Sequence, residues 1–251
     1  FVLDRVSLRD QKLTLLESDA SAVKVLLVRG GPGSGKSYTH HLFERRAQAQ
    51  GALVVYVDRD LIATVDELIL QLFSALESSD KIPPRPTTDD AWYRAVCIKL
   101  AEVAAIKRRQ LWLAVDDLGP APDGAPLLDP EVRRFCDQLA LTMKNPVFRQ
   151  WFRLMLIHYP DGPVPTRWEQ GTWVEERTSE ADIQQAHVLE QIRAWLTANG
   201  RSALEEELKK LADDVIAAAD APPALDDTRP RLRRLRDALT ATLAALAGRP
   251  V

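Results

Sequence analysis

Eight consecutive residues, Gly30-Gly31-Pro32-Gly33-Ser34-Gly35-Lys36-Ser37, restrict the fold of this chain more than any other segment. They stand between a β-branched apolar run, Val23 to Val28, and a stretch of helical periodicity from about Ser37 to Gln50. A strand that ends in glycines and passes directly into a helix leaves backbone N–H groups free to wrap a phosphate at the positive end of the helix dipole. Lys36 supplies a charge for β and γ oxygens, and the Ser37 hydroxyl can ligate Mg2+. The segment therefore predicts a strand, a phosphate-cradling loop and a helix, with Tyr38 the next residue along.

The rest of the chain repeats that alternation. Helical spacing of Val6, Leu13 and Leu16 opens it. Apolar runs at 52–57, 111–115 and 152–157 read as buried parallel strands, because covering both faces of a sheet removes the polar alternation. Thr172 to Val174 reads as a short fifth strand. Helical periodicity is predicted over 61–76, 91–106, 131–142 and 180–198, and the proline-rich segments 78–89 and 119–130 read as loops. Strand and helix in turn are what a parallel α/β sheet requires. Two further helical faces lie beyond, one carrying Leu204, Leu208, Leu211 and Val215, the other Leu232, Leu235, Leu239, Leu243 and Leu246. They are separated by Pro222-Pro223 and read as a helical hairpin.

The third strand delivers Asp116 and Asp117 at its C-terminal end, where open α/β sheets place their ligand crevices. Asp116 is placed to hold Mg2+ and Asp117 to polarise an attacking water. With GGPGSGKS followed by LWLAVDDLG, the chain resembles P-loop NTPases of the additional-strand division, in particular STAND and AAA+ type ATPases, and the double aspartate favours STAND. That resemblance, over about residues 1–200, implies an α/β three-layer sandwich with a mainly parallel five-stranded sheet in the order 5-1-4-3-2, followed by the helical hairpin over 201–251. It implies Gly30, Gly31, Pro32, Gly33, Ser34, Gly35, Lys36, Ser37 and Tyr38 as nucleotide-binding residues, Ser37 and Asp116 as Mg2+ ligands, and Lys36 and Asp117 as catalytic residues. ATP or ADP is the implied nucleotide, and no Asn-Lys-x-Asp base-reading motif points instead to guanine. The opening Phe1-Val2-Leu3-Asp4-Arg5 is similar to the STAND segment that passes near the adenine.

Some positions depart from the family pattern. His158 comes after the fourth strand where a polar or arginine sensor is expected, so it is a candidate γ-phosphate sensor as well as a candidate structural histidine. Arg167, Arg177 and the group Arg229, Arg231, Arg233, Arg234 and Arg236 are candidate arginine fingers, with a solvated basic helix face the plainer reading of the group.

With 46% hydrophobic and 27% charged residues, the chain has globular composition, which excludes disordered and fibrous classes. A formal net charge of -3 gives no reason to expect nucleic-acid binding. Two cysteines, Cys97 and Cys136, suit buried thiols in a reducing cytoplasm rather than a disulfide framework. No apolar run is long enough to predict a membrane span. A start at Phe1 rather than Met reads as a piece of a longer protein. The resulting expectation is an ATP-binding, Mg2+-dependent ATPase switch domain of a larger signalling or defence protein. Its expected partners are other domains of that chain, an effector, or further copies of itself. A non-hydrolysing nucleotide-binding scaffold and a small-molecule P-loop kinase are the alternatives.

Overall fold

A computed structural model describes residues 8–31, 34–78, 80–85, 88–121, 124–179, 184–221 and 231–248. Phe1 to Arg5, Pro32, Gly33 and Arg229, all singled out in the sequence, lie outside the described residues. The chain divides into two compact units, one containing Lys36–Arg177 with Val6–Arg29, the other Thr178–Val251 with Gly30–Gly35.

The first unit is built on one sheet. Its strands are β1 (Val25–Gly30), β2 (Leu53–Val57), β3 (Leu111–Val115), β4 (Phe152–Ile157) and β5 (Trp173–Thr178). They lie in the order β2-β3-β4-β1-β5, the order that the resemblance implied. The pairs β2–β3, β3–β4 and β4–β1 are parallel, with Leu53 opposite Leu111, Leu111 opposite Phe152 and Val25 opposite Leu154. The central strands β3 and β4 are buried along their whole length, which explains their unbroken apolar runs.

Side-chain alternation divides the core into two faces. Leu111, Leu113 and Val115 of β3 belong to a cluster that also holds Leu68 and Leu72 of α3 (Val65–Ala75), Val96 and Leu100 of α4 (Asp89–Lys107), and Phe135 and Leu139 of α5 (Pro130–Thr142). On the opposite face, Trp112 is fully buried and meets Phe43 of α2 (Thr39–Ala49), their ring centroids 4.8 Å apart. Helix starts obey local chemistry. Thr64 and Glu67 form a reciprocal capping box on α3, and the Asp129 carboxylate accepts from the Glu131 N–H with Pro130 in the first turn of α5.

The N-terminal edge of the sheet holds two buried cations. A π-helical turn, Leu8–Leu13, runs into the four-residue α1 (Thr14–Glu17). The Lys24 ammonium donates to the Ser18 carbonyl at 2.6 Å and to Leu16 O at 3.4 Å. Arg153 of β4, fully buried, donates to the carbonyls of Glu17, Arg149 and Phe152 and pairs with Asp19 at 2.9 Å. Carbonyls left over at a helix C-terminus are natural acceptors for cations. A further short helix, α6 (Pro146–Arg149), capped by Asn145, was not predicted and leads into β4.

In the second unit, α7 (Gln185–Ala198), α8 (Glu205–Asp220) and α9 (Arg231–Ala247) pack on one another. Their shared core contains Ile192, Leu208, Val215, Leu235, Leu239 and Leu243. The expected hairpin is therefore present as α8 and α9, with α7 packed against it. Both cysteines are buried, and burial pushes the Cys97 thiol up to about 12 and Cys136 well above its usual value, as expected of inert thiols. Among the described residues no helix is long and apolar enough to cross a membrane.

Candidate functional site

Three adjacent parallel strands end together, and the residues just beyond their C-terminal ends form one group. β2 is succeeded by Asp58 and Arg59, β3 by Asp116 and Asp117, and β4 by His158. Asp116 is 2% exposed, with its N–H bonded to Val57 O at 2.9 Å. The His158 Nδ1 donates to Asp116 Oδ1 at 2.6 Å and lies 3.7 Å from Asp117 Oδ1. The Asp117 N–H donates to the same Asp116 oxygen at 2.7 Å. Tyr56, at the end of β2, donates to Asp58 at 3.2 Å and reaches Asp116 Oδ2 at 3.5 Å. Ser37 is near enough to Asp116 to help lower its carboxyl, so the predicted pair of Mg2+ ligands is brought together.

The two aspartates differ in electrostatics although they are neighbours. Burial pushes Asp116 upward, but hydrogen bonds from His158, Ser37 and the Asp117 N–H outweigh it and hold the carboxyl below its usual range. Asp117 goes the other way. Burial raises it first and the Asp116 charge adds to that, with His158 and Arg59, whose Nε lies 3.9 Å from Asp117 Oδ2, only partly compensating. The Tyr56 hydroxyl is held firmly protonated by burial and the surrounding carboxylates. Asp117 and His158 both have left-handed backbone, φ 58° and 55°. Non-glycine residues held there are strained, and such strain concentrates where a side chain has to be aimed.

The phosphate-type loop has its own constraints. Gly30 has φ 148°, and a Cβ there would lie 2.2 Å from Thr178 O, so only glycine fits. Ser34 and Thr178 share a hydrogen bond of 2.8 Å between hydroxyls. Gly35 also requires positive φ, at 76°, and Gly31 is exposed. After it, Lys36 is 5% exposed and its carbonyl accepts from the Thr39 N–H at 2.9 Å, which starts α2. Tyr38 is exposed, and the His40 Nδ1 donates to the Ser37 carbonyl.

The arginine candidates are engaged elsewhere or exposed. Arg177 pairs with Glu175 at 2.5 Å, Arg231 with Asp220 at 2.5 Å and Arg236 with Asp237 at 3.1 Å, and Arg167 is exposed. Sequence reasoning missed Tyr56, Asp58 and Arg59. The available signal was their place at the C-terminal end of a strand next to the one that carries the aspartates.

Residues 99–250, more than half of the chain, match the family described as a domain of unknown function, DUF222. The chain belongs to the DUF222 family. The matched DUF222 region includes Asp116, Asp117 and His158 and leaves out the glycine loop. No curated protein matches this DUF222 chain in sequence. Among solved structures it is similar to Cdc6p from Pyrobaculum aerophilum, with 18% identity and a TM-score of 0.54, over 98% of this chain and 64% of that one. The chain thus spans under two thirds of the length of Cdc6p. ORC2 from Aeropyrum pernix, solved as ADPNP–ADP complexes, has 13% identity and a TM-score of 0.47, over 95% and 67% of the two chains. AMPPCP-bound DnaA from Aquifex aeolicus has 16% identity and a TM-score of 0.43, over 97% and 61%. With the sheet order, the Cdc6p likeness gives this DUF222 member a P-loop NTPase fold.

Proposed function

We propose that the chain binds ATP and Mg2+ through the loop Gly30 to Tyr38 and acts as a nucleotide-dependent switch domain of a larger signalling or defence protein. The observation that carries this reading is the gathering of the buried Asp116 with Asp117 and His158 at the ends of β3 and β4, with Ser37 beside Asp116. A hydroxyl and a carboxylate of lowered proton affinity suit a hard divalent cation, so these residues fit Mg2+. Bound there, the ion would neutralise charge between the phosphate oxygens. Lys36 compensates the triphosphate, and Asp117 orients a water against the γ-phosphate. Nucleotide state then biases one arrangement over another only by the difference in its contacts with each. Other domains of the same protein, an effector or further copies of the chain are the partners such a switch would address, in the cytoplasm.

One observation favours the second reading, a scaffold that binds nucleotide without turnover. His158 occupies an Asp116 oxygen at 2.6 Å and lies 3.7 Å from an Asp117 oxygen, so an imidazole stands beside both carboxylates that turnover would use. Calorimetric titration with ATP and Mg2+, and then phosphate release from the same samples, separates the two. Lys36→Ala is expected to weaken binding by at least ~10-fold, because one charge-assisted contact contributes roughly 1.5–3 kcal/mol. Asp117→Asn is expected to keep binding and slow phosphate release. Unchanged affinity in Lys36→Ala would remove the phosphate-loop assignment, and binding without release in the parent would select the scaffold.

A further inference from the structure

We infer that His40, His41 and Glu44, on the first turns of α2, form a binding site for a transition-metal ion of the zinc class. The site shares no ligand residue with the Asp116 group and does not rest on the nucleotide reading. His40 and Glu44 are four residues apart and His41 and Glu44 three, so Glu44 lies one turn along from both rings, and the two rings themselves meet with centroids 3.9 Å apart. One ligand atom from each lies within 4.8 Å of the others. Glu44 Oε1 accepts from Gln48 at 3.2 Å, and Oε2 faces the His41 ring at 4.0 Å.

His40 is the anchor of the group. Its Nδ1 faces the Ser37 carbonyl, which can only accept, so Nδ1 carries the proton and the lone pair is on Nε2. Metal-binding histidines are typically fixed in this way, donating their other N–H to a backbone carbonyl. The ring also lies on Tyr56, with centroids 3.9 Å apart and planes at 22°, and touches the His41 ring at 3.9 Å. Orientation is therefore settled before any ion arrives. Around a tetrahedral ion with bonds of about 2.0–2.1 Å, ligand atoms sit roughly 3.3 Å apart. Closing the remaining gap falls to His41 and Glu44, whose side chains are each 43% exposed. Two imidazoles and one carboxylate select Zn2+ or Co2+ over Mg2+ and Ca2+, which take oxygen donors, and leave a fourth position for water.

The test uses the full, untagged chain without nucleotide, titrated with Zn2+ by calorimetry and with Co2+ by visible absorption. One ion per chain is expected, with the intense d–d bands of four-coordinate Co2+. His41→Gln and Glu44→Gln should each weaken binding by at least ~10-fold. Both positions are exposed, and an unchanged circular dichroism spectrum confirms folding. His158→Gln and His187→Gln, at the chain's other two histidines, should leave binding unchanged. No saturable binding, binding that survives His41→Gln, or binding lost in His158→Gln would each overturn the inference, the last by assigning the ion to the Asp116 group. Loss or retention of ATP affinity in Lys36→Ala is read independently of all these outcomes.

Discussion

At the scale of single residues, the end of β3 carries a conformational and electrostatic cost. Asp117 combines left-handed backbone with a carboxylate that burial and Asp116 disfavour. Left-handed geometry costs a non-glycine residue roughly 1–2 kcal/mol. Replacing Asp117 by glycine removes the strain and the like-charge contact, and the greater chain entropy of glycine offsets part of the gain. Asp117→Gly is therefore expected to raise stability by about 0.5–1 kcal/mol while abolishing any turnover, read as a higher denaturation midpoint beside phosphate release. A lower midpoint would show that the Asp117 side chain supports the fold. His158 shares the left-handed geometry but holds Asp116, so the same replacement there would give up a charge-assisted hydrogen bond.

At the scale of elements, the cations at the end of α1 give a pH-dependent stability. Burial first, and Arg153 second, depress the Lys24 ammonium from 10.5 to about 8. Between those values the unfolded chain binds a proton that the folded chain does not, so stability rises with pH through the window and levels off above it. The difference between parent and Lys24→Met should thus shift by on the order of 1–2 kcal/mol in favour of the parent from pH 8 to 10.5. A flat difference would mean that the charged form is fully solvated in the fold.

The elements also show what the sequence makes legible. β3 and β4 lie at the predicted residues because their runs are apolar throughout and bounded by polar residues. β5 is longer than Thr172 to Val174 suggests, since Glu175, Glu176 and Arg177 carry no apolar pattern and are held by their place at the sheet edge. Lys24 and Arg153 sit silently inside apolar runs, because what permits their burial is a set of carbonyls from a different segment. The candidate site was legible where it is contiguous, as in Lys36-Ser37 and Asp116-Asp117. Tyr56, Asp58 and Arg59 join it through strand order, which no local spacing encodes.

For the whole molecule, the decisive feature is that the sheet and the helical bundle each bury their own apolar residues. The cluster around β3 and the cluster of α7, α8 and α9 have no member in common. Leu239 is fully buried in the helical cluster, and Leu→Ala at such a site costs ~2–5 kcal/mol. Leu239→Ala is expected to speed hydrogen exchange in α8 and α9 and leave β3 and β4 protected. Equal acceleration in both would show that the two cores open as a single cooperative unit. The same separation bears on how such a chain changes over generations. A volume lost in one core can be made good only by neighbours in that core, so compensating substitutions among relatives should pair sheet with sheet and bundle with bundle. Each half of the molecule could then drift at its own pace, and a lineage could remodel its helices while leaving the strand ends that gather Asp116, Asp117 and His158 untouched.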